Sequence, residues 1–180
     1  MVKYYLKLSA KVIWWHLLGQ AMFMAIGFIA FGLLMANYRI AEILASIFMT
    51  GGYVIYMYSK LYKVGERDTK SYVQEKPYMC KGIVLYIGLF FISLLFAVLY
   101  KASFSTNTLL AYFLSYFPFR IWGYTYIGFM KTAGGAISVF YWILYFGVPL
   151  ASCAVGYYAG MRRWDLGYHF FKNFAYKKKK

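Results

Sequence analysis

KLYKVGERDTKSYVQEKPYMCK, Lys60 to Lys81, is the one long charged segment in a chain that is otherwise apolar. A soluble domain holds about 45–50% apolar and about 25% charged residues. This chain of 180 residues is 63% hydrophobic, 24% aromatic and only 14% charged. Water is the wrong solvent for most of it, so Lys60–Lys81 reads as a cytoplasmic connector between membrane spans. Within it, Val64-Gly65-Glu66-Arg67-Asp68 reads as a mixed-charge turn in a solvated linker rather than a binding epitope, because exposed ion pairs contribute only about 0–1 kcal/mol.

Working outward to the N-terminal side, Lys3, Lys7 and Lys11 recur every four residues on an amphipathic lead-in, and Val12 to Ala36 then runs without a charge. This run is longer than the roughly 7–15-residue apolar core of a signal peptide, and no small-x-small cleavage site follows it. It is the first expected span. The short turn Asn37-Tyr38-Arg39 supplies an N-cap candidate in Asn37, and Ile40 to Ser59 forms the second span. Glu42 lies three residues after Arg39, a spacing that permits an ion pair along one helix face at the outer interface.

On the C-terminal side, Gly82–Tyr100 is the third span, closed by Lys101, and Ile137–Gly160 is the fourth. Each is close to the roughly 20 residues that a hydrocarbon core about 30 Å thick demands. Between them lies an aromatic segment, 102–136. Asn107 is a second N-cap candidate, and Leu109, Tyr112, Phe113, Tyr116 and Phe117 sit at helical spacing until Pro118 is expected to stop the helix. This predicts an amphipathic helix on the outer interface, where Tyr and Trp are favoured. A fifth span over 108–130 would place Arg120 near its centre at about 2.5–3.5 kcal/mol. It would also carry the basic tail to the outside. The four-span arrangement puts sixteen basic residues inside and leaves Arg39, Lys101, Arg120 and Lys131 outside. That asymmetry predicts both termini in the cytoplasm.

The net charge of +15 is thus a topology signal, and its placement argues against nucleic acid as a partner. The tail residues Arg162, Arg163, Lys172, Lys177, Lys178, Lys179 and Lys180 are interleaved with aromatics, a composition that binds an anionic inner leaflet at about 1 kcal/mol per basic residue. Docking of an acidic cytosolic partner or RNA is the sharper alternative. Ser152, Gly156 and Gly160 line one face of span four and contain a G-x-x-x-G, which lets helix backbones approach closely. It serves either packing inside the chain, with Ala21, Ala25, Ala41 and Ala45 as complementary grooves, or pairing with a second copy or a larger membrane partner. Pro149 interrupts span four and marks a kink or a hinge.

Catalytic patterns are missing. There is no G-x-S-x-G elbow, H-E-x-x-H helix or intramembrane aspartate pair, and the five acidic residues Glu42, Glu66, Asp68, Glu75 and Asp165 lie at or beyond the expected span ends. His16, with Gln20 and Trp14-Trp15, reads as an interfacial residue at the inner end of span one. No second span carries a histidine to share a metal, and His169 falls in the tail. Cys80 and Cys153 form no C-x-x-C pair and read as reduced thiols. No cofactor is expected.

The Gly65-Glu66-Arg67-Asp68 turn, the Lys81-Gly82 entry to span three, and the closing pattern Gly156-Tyr157, Gly160, Arg162-Arg163 and Tyr176-Lys177-Lys178-Lys179-Lys180 resemble a group of small four-span bacterial membrane proteins. The chain departs from them at Thr69-Lys70-Ser71-Tyr72, where members carry Asn-Leu-Val. The resemblance implies an architecture and a cell-membrane location, and brings no activity with it. The expected fold is therefore all-α, with four transmembrane helices in two hairpins and an outer interfacial helix. The leading expectation for function is a non-enzymatic accessory or interaction protein. A small transporter, with the aromatic segment as an outer lid and Pro149 as hinge, is the alternative, and a lipid-directed enzyme comes third.

Overall fold

The computed structural model describes residues 2–33, 38–70, 78–103, 117–130 and 137–164, and these are all-helical apart from short turns. Four long helices, α1 (Val2–Leu33), α2 (Tyr38–Asp68), α3 (Lys81–Ser103) and α5 (Val139–Met161), surround a short helix, α4 (Phe117–Trp122), and the 3-10 helix Tyr124–Phe129. α1 touches α2 and α3, and α5 touches the same two from the other side, with the α2–α5 seam the most extensive.

Contacts along each seam give the helix directions. Gly156 and Gly160 of α5 meet Tyr58 and Tyr62 of α2 in the same order, so these two helices run parallel. Tyr86 donates to the Phe146 carbonyl at 2.8 Å, and Tyr145 donates to the Ser93 carbonyl at 3.2 Å, so α3 and α5 run antiparallel. Met49 approaches Gly27 while Tyr4 reaches Asp68, which makes α1 and α2 antiparallel as well. The start of α1, the end of α2, the start of α3 and the end of α5 therefore share one end of the molecule.

Among the described residues, two helices are long and apolar enough to cross a membrane, Lys81–Lys101 and Val139–Met161. α5 begins at an N-cap, Ser138, whose Oγ accepts from the Phe140 N–H at 3.2 Å. It ends where Arg163 turns left-handed (φ 53°). There the Arg163 N–H reaches the Gly160 carbonyl and the Trp164 N–H reaches that of Ala159, which occupies carbonyls that a helix end otherwise leaves unbonded. Pro149 sits buried inside this helix. Tyr86 bonds the carbonyl three residues before it, in the stretch where a proline disturbs the helical ladder.

Two expectations are corrected. The first part of the connector is not a solvated turn: α2 continues unbroken through Asp68, and Val64, Gly65 and Asp68 are buried. The apolar packing of Leu61 and Val64, with the close contact of Gly65 on α5, holds the helix beyond the expected span end. Pro118 stands in the first turn of α4, where its missing N–H leaves no intrahelical bond unmade. The aromatic segment, expected at the outer surface, is enclosed in its described part. Phe119, Thr125 and Tyr126 are fully buried and Trp122 nearly so, enclosed by the long helices. The expected interfacial helix before Phe117, the Asn37 and Asn107 caps, the Arg39 side chain, and the tail with Lys172, Lys177, Lys178, Lys179 and Lys180 lie outside the described residues.

Candidate functional site

Two polar clusters occupy the interior. The first joins all four long helices at their shared end. Asp68 and Lys81, the two ends of the connector, form an ion pair of 2.7 Å between Oδ2 and Nζ, with both side chains wholly removed from solvent. Such a pair endures only when its remaining valences are met, because desolvating each ion costs several kcal/mol. The carboxylate is well supplied. Tyr157 donates to Oδ2 at 3.2 Å, and Tyr4 and Arg67 donate to Oδ1 at 3.2 and 3.3 Å. The Lys81 ammonium makes the ion pair off the hydrogen-bond axis. It is otherwise faced by the rings of Tyr4, Tyr5 and Tyr157, with centroids at 4.9, 5.5 and 5.9 Å. Ring faces attract a cation most when water is excluded, so an aromatic cage stands in for hydration. One cluster thus ties α1, α2, α3 and α5 together.

The second cluster holds the inserted segment 117–130. Irregular backbone enclosed among helices exposes N–H and C=O groups that must find partners. Side chains of α1 and α2 supply them. His16 lies between Tyr53 Oη (2.6 Å from Nδ1) and the Trp122 carbonyl (3.1 Å from Nε2). A carbonyl can only accept, so Nε2 carries the proton and Nδ1 takes the tyrosine hydroxyl. Gln20 Oε1 accepts from the Thr125 N–H at 3.0 Å while its Nε2 donates to Thr125 Oγ1 at 3.3 Å. Thr50 donates to the Thr125 carbonyl at 3.2 Å, and Ser46 Oγ accepts from the Gly128 N–H at 2.8 Å. On the far side, Trp122 Nε1 donates to Ser93 Oγ at 2.8 Å.

His16 and Gln20 therefore face the interior of the chain, being 1% and 0% exposed. They are anchors for backbone. Trp14, by contrast, is exposed. A signal for this was present, since His16/Gln20 and Ser46/Thr50 are polar pairs four apart in otherwise apolar stretches of α1 and α2. Gln20→Leu is expected to leave the Thr125 N–H unsatisfied and to destabilise the chain by about 1–3 kcal/mol. Thermal unfolding in detergent would measure it, and an unchanged midpoint would mean that water replaces the amide.

Ser152, Gly156 and Gly160 are all buried. A Cβ on Gly156 would lie 2.9 Å from the Tyr58 carbonyl, and one on Gly160 would overlap the carbonyl of Tyr62. The Ser152 hydroxyl bonds back to the Val148 carbonyl at 2.8 Å. At Gly156 and Gly160 the small-residue face is occupied by α2 of the same chain, through Tyr58, Leu61 and Tyr62. Arg162 and Arg163 are exposed beyond the helix end, Arg162 over the Tyr158 ring at 5.7 Å. Cys80 is exposed and Cys153 buried, and neither forms a disulfide. No group of three His, Cys, Asp or Glu able to hold a metal occurs among the described residues. Comparison with models of protein families, with curated proteins and with solved structures finds no match to the chain.

Proposed function

We propose that the chain is a multi-pass protein of a bacterial cell membrane, with spans at 12–36, 40–59, 82–100 and 137–160, both termini cytoplasmic, acting as a non-enzymatic accessory or interaction protein. The observation that carries the membrane reading is the outward face of the two most apolar helices. Only 28% of the α3 segment and 33% of the α5 segment are buried within the chain, although their apolar composition would place them in the core of a soluble protein. Ile83, Ile87, Phe91, Leu95 and Val98 of α3 point outward, as do Phe48 and Ile55 of α2. Monomeric soluble proteins rarely expose contiguous apolar patches larger than a few hundred Å². Lipid is the solvent that suits this surface.

The helix directions support the topology. The end where Tyr4, Asp68, Lys81 and Tyr157 meet also carries Lys7, Lys11 and Arg67 and leads into Arg162 and Arg163, which is the basic side expected to face the cytoplasm. There Arg162, Arg163, Lys172 and Lys177 to Lys180 contact anionic lipid. The accessory reading is supported by the interior. Both nitrogens of His16 and both ends of Gln20 are taken by the chain's own groups, so these polar residues serve architecture rather than a substrate. With Gly156 and Gly160 engaged by α2, association with another chain runs through other faces.

Transport is the second reading, favoured by the inserted segment itself. Non-helical backbone at membrane depth occurs where it is buried in protein or lines a cavity, and Pro149 beside it supplies a hinge. The discriminating measurement is native mass spectrometry of the tagged chain extracted from its own host in a mild detergent. A reproducible second protein is the expected result. A homo-oligomer carrying a small molecule would move the assignment to transport. A phosphatase reporter fused after Lys180 should be inactive, and activity there would overturn the topology.

A further inference from the structure

We infer that the cleft between α1 and α2 at the basic end binds a phosphate group. Tyr4, Lys7, Leu8, Lys11 and Arg67 line a pocket of about 180 Å³. Lys7 and Lys11, four residues apart, lie on one face of α1, and Arg67 closes the cleft from α2. Among the described residues no carboxylate lines it. The nearest one to Arg67, Asp68, is buried beneath and already bonded by Lys81, Tyr157, Tyr4 and Arg67. Three basic residues therefore border the concavity, and among the described residues the carboxylate beside Arg67 is already bonded.

Like charges facing one cavity repel, and a bound anion relieves that repulsion while gaining charge-assisted hydrogen bonds. The residue types select phosphate. A guanidinium offers a planar pair of donors, and lysine ammonium groups act as adjustable point charges. Arg67 is held in place, because its Nη2 donates to Tyr4 Oη at 3.1 Å and to Asp68 Oδ1 at 3.3 Å, which leaves its other N–H groups for a ligand. The volume is below the roughly 300–1,000 Å³ of pockets for drug-sized ligands, so a phosphate head fits and a nucleotide does not. Leu8 provides an apolar wall beside the cations, which suits the glycerol end of a phospholipid. Basic pockets between helices on the cytoplasmic side bind lipid head groups in this way.

The source of the phosphate follows from the membrane reading, on which the lipid arm of the inference rests. The phosphate chemistry does not rest on it. The test uses the full chain in a mild detergent, titrated separately with short-chain phosphatidylglycerol and with inorganic phosphate, binding being read by native mass spectrometry and calorimetry. The first variant is Lys7→Gln/Lys11→Gln, whose exposed side chains can be changed without disturbing the fold. The second neutralises Lys177 to Lys180, so that binding by the tail is separated from binding by the pocket.

One saturable site is expected in wild type and in the tail variant, weakened roughly thirtyfold in Lys7→Gln/Lys11→Gln at unchanged melting temperature, from about 1 kcal/mol per basic residue. If phosphatidylglycerol binds more tightly than inorganic phosphate, the ligand is a lipid head group. If both bind equally and depend on Lys7 and Lys11, the site takes soluble phosphate, and the membrane reading loses this support while the pocket keeps its assignment. Binding that is absent in wild type, or unaltered in Lys7→Gln/Lys11→Gln, overturns the inference.

Discussion

Asp68→Asn is expected to lower the stability of the chain by about 3–5 kcal/mol, the cost of removing one partner from a buried ion pair. The reason lies in what remains. Lys81 is wholly removed from solvent, and with a neutral amide in place of the carboxylate its ammonium keeps an amide dipole and three ring faces but no counter-ion. The residue must then stay charged without a counter-ion, lose its proton, or admit water by separating the helix ends. Each route acts on all four long helices, since Tyr4, Asp68, Lys81 and Tyr157 come from different ones.

The double variant Asp68→Leu/Lys81→Met removes both charges and should recover most of the loss, because apolar replacements of a buried pair are often neutral or stabilising. Thermal unfolding of wild type, Asp68→Leu, Lys81→Met and the double variant, followed by tryptophan fluorescence, isolates the coupling. A single-variant loss under about 1 kcal/mol is what an exposed pair would give, and would show that water reaches the cluster.

Gly160→Ala should be the other damaging change, costing about 3 kcal/mol or more, at or beyond the upper end of ordinary overpacking. Its Cβ would overlap the Tyr62 carbonyl, and backbone cannot swing aside as a side-chain tip can. Gly65→Ala should behave alike, since its Cβ would overlap the Tyr157 carbonyl across the same seam. Gly156→Ala is expected to cost less, its nearest contact being 2.9 Å. Gly51 is the internal control. Nothing lies within 4 Å of a Cβ placed there, so Gly51→Ala should stabilise the chain by about 0.5–1 kcal/mol through helix propensity alone. Should Gly160→Ala match Gly51→Ala in unfolding experiments while changing the oligomeric state, the small-residue face would belong to an interface with another chain instead.

Much of this was legible in the residues, because it depended on composition and local spacing. The apolar runs at 82–100 and 137–160 announced the two helices long and apolar enough to cross a membrane, since length and hydropathy are properties of the run itself. The small-residue face of Ser152, Gly156 and Gly160 announced close packing for the same local reason, although not with which helix. The order of the apolar runs announced helices that alternate in direction, and α2 and α5 run parallel to each other and antiparallel to α1 and α3 respectively.

What only the tertiary structure decided were the pairings between distant residues. Asp68 and Lys81 read as members of a solvated connector because charge in a sequence is ordinarily hydrated. They are buried because four helix ends converge on them and offer two hydroxyls and three ring faces. His16 and Gln20 read as interfacial because polar groups near a span end usually are. They are anchors because the chain returns more than a hundred residues later with backbone that needs partners. Residue types and periodicity set which surfaces avoid water, by themselves and locally. Which buried polar group meets which is set by the convergence of separate helices, and no single stretch of sequence contains that information.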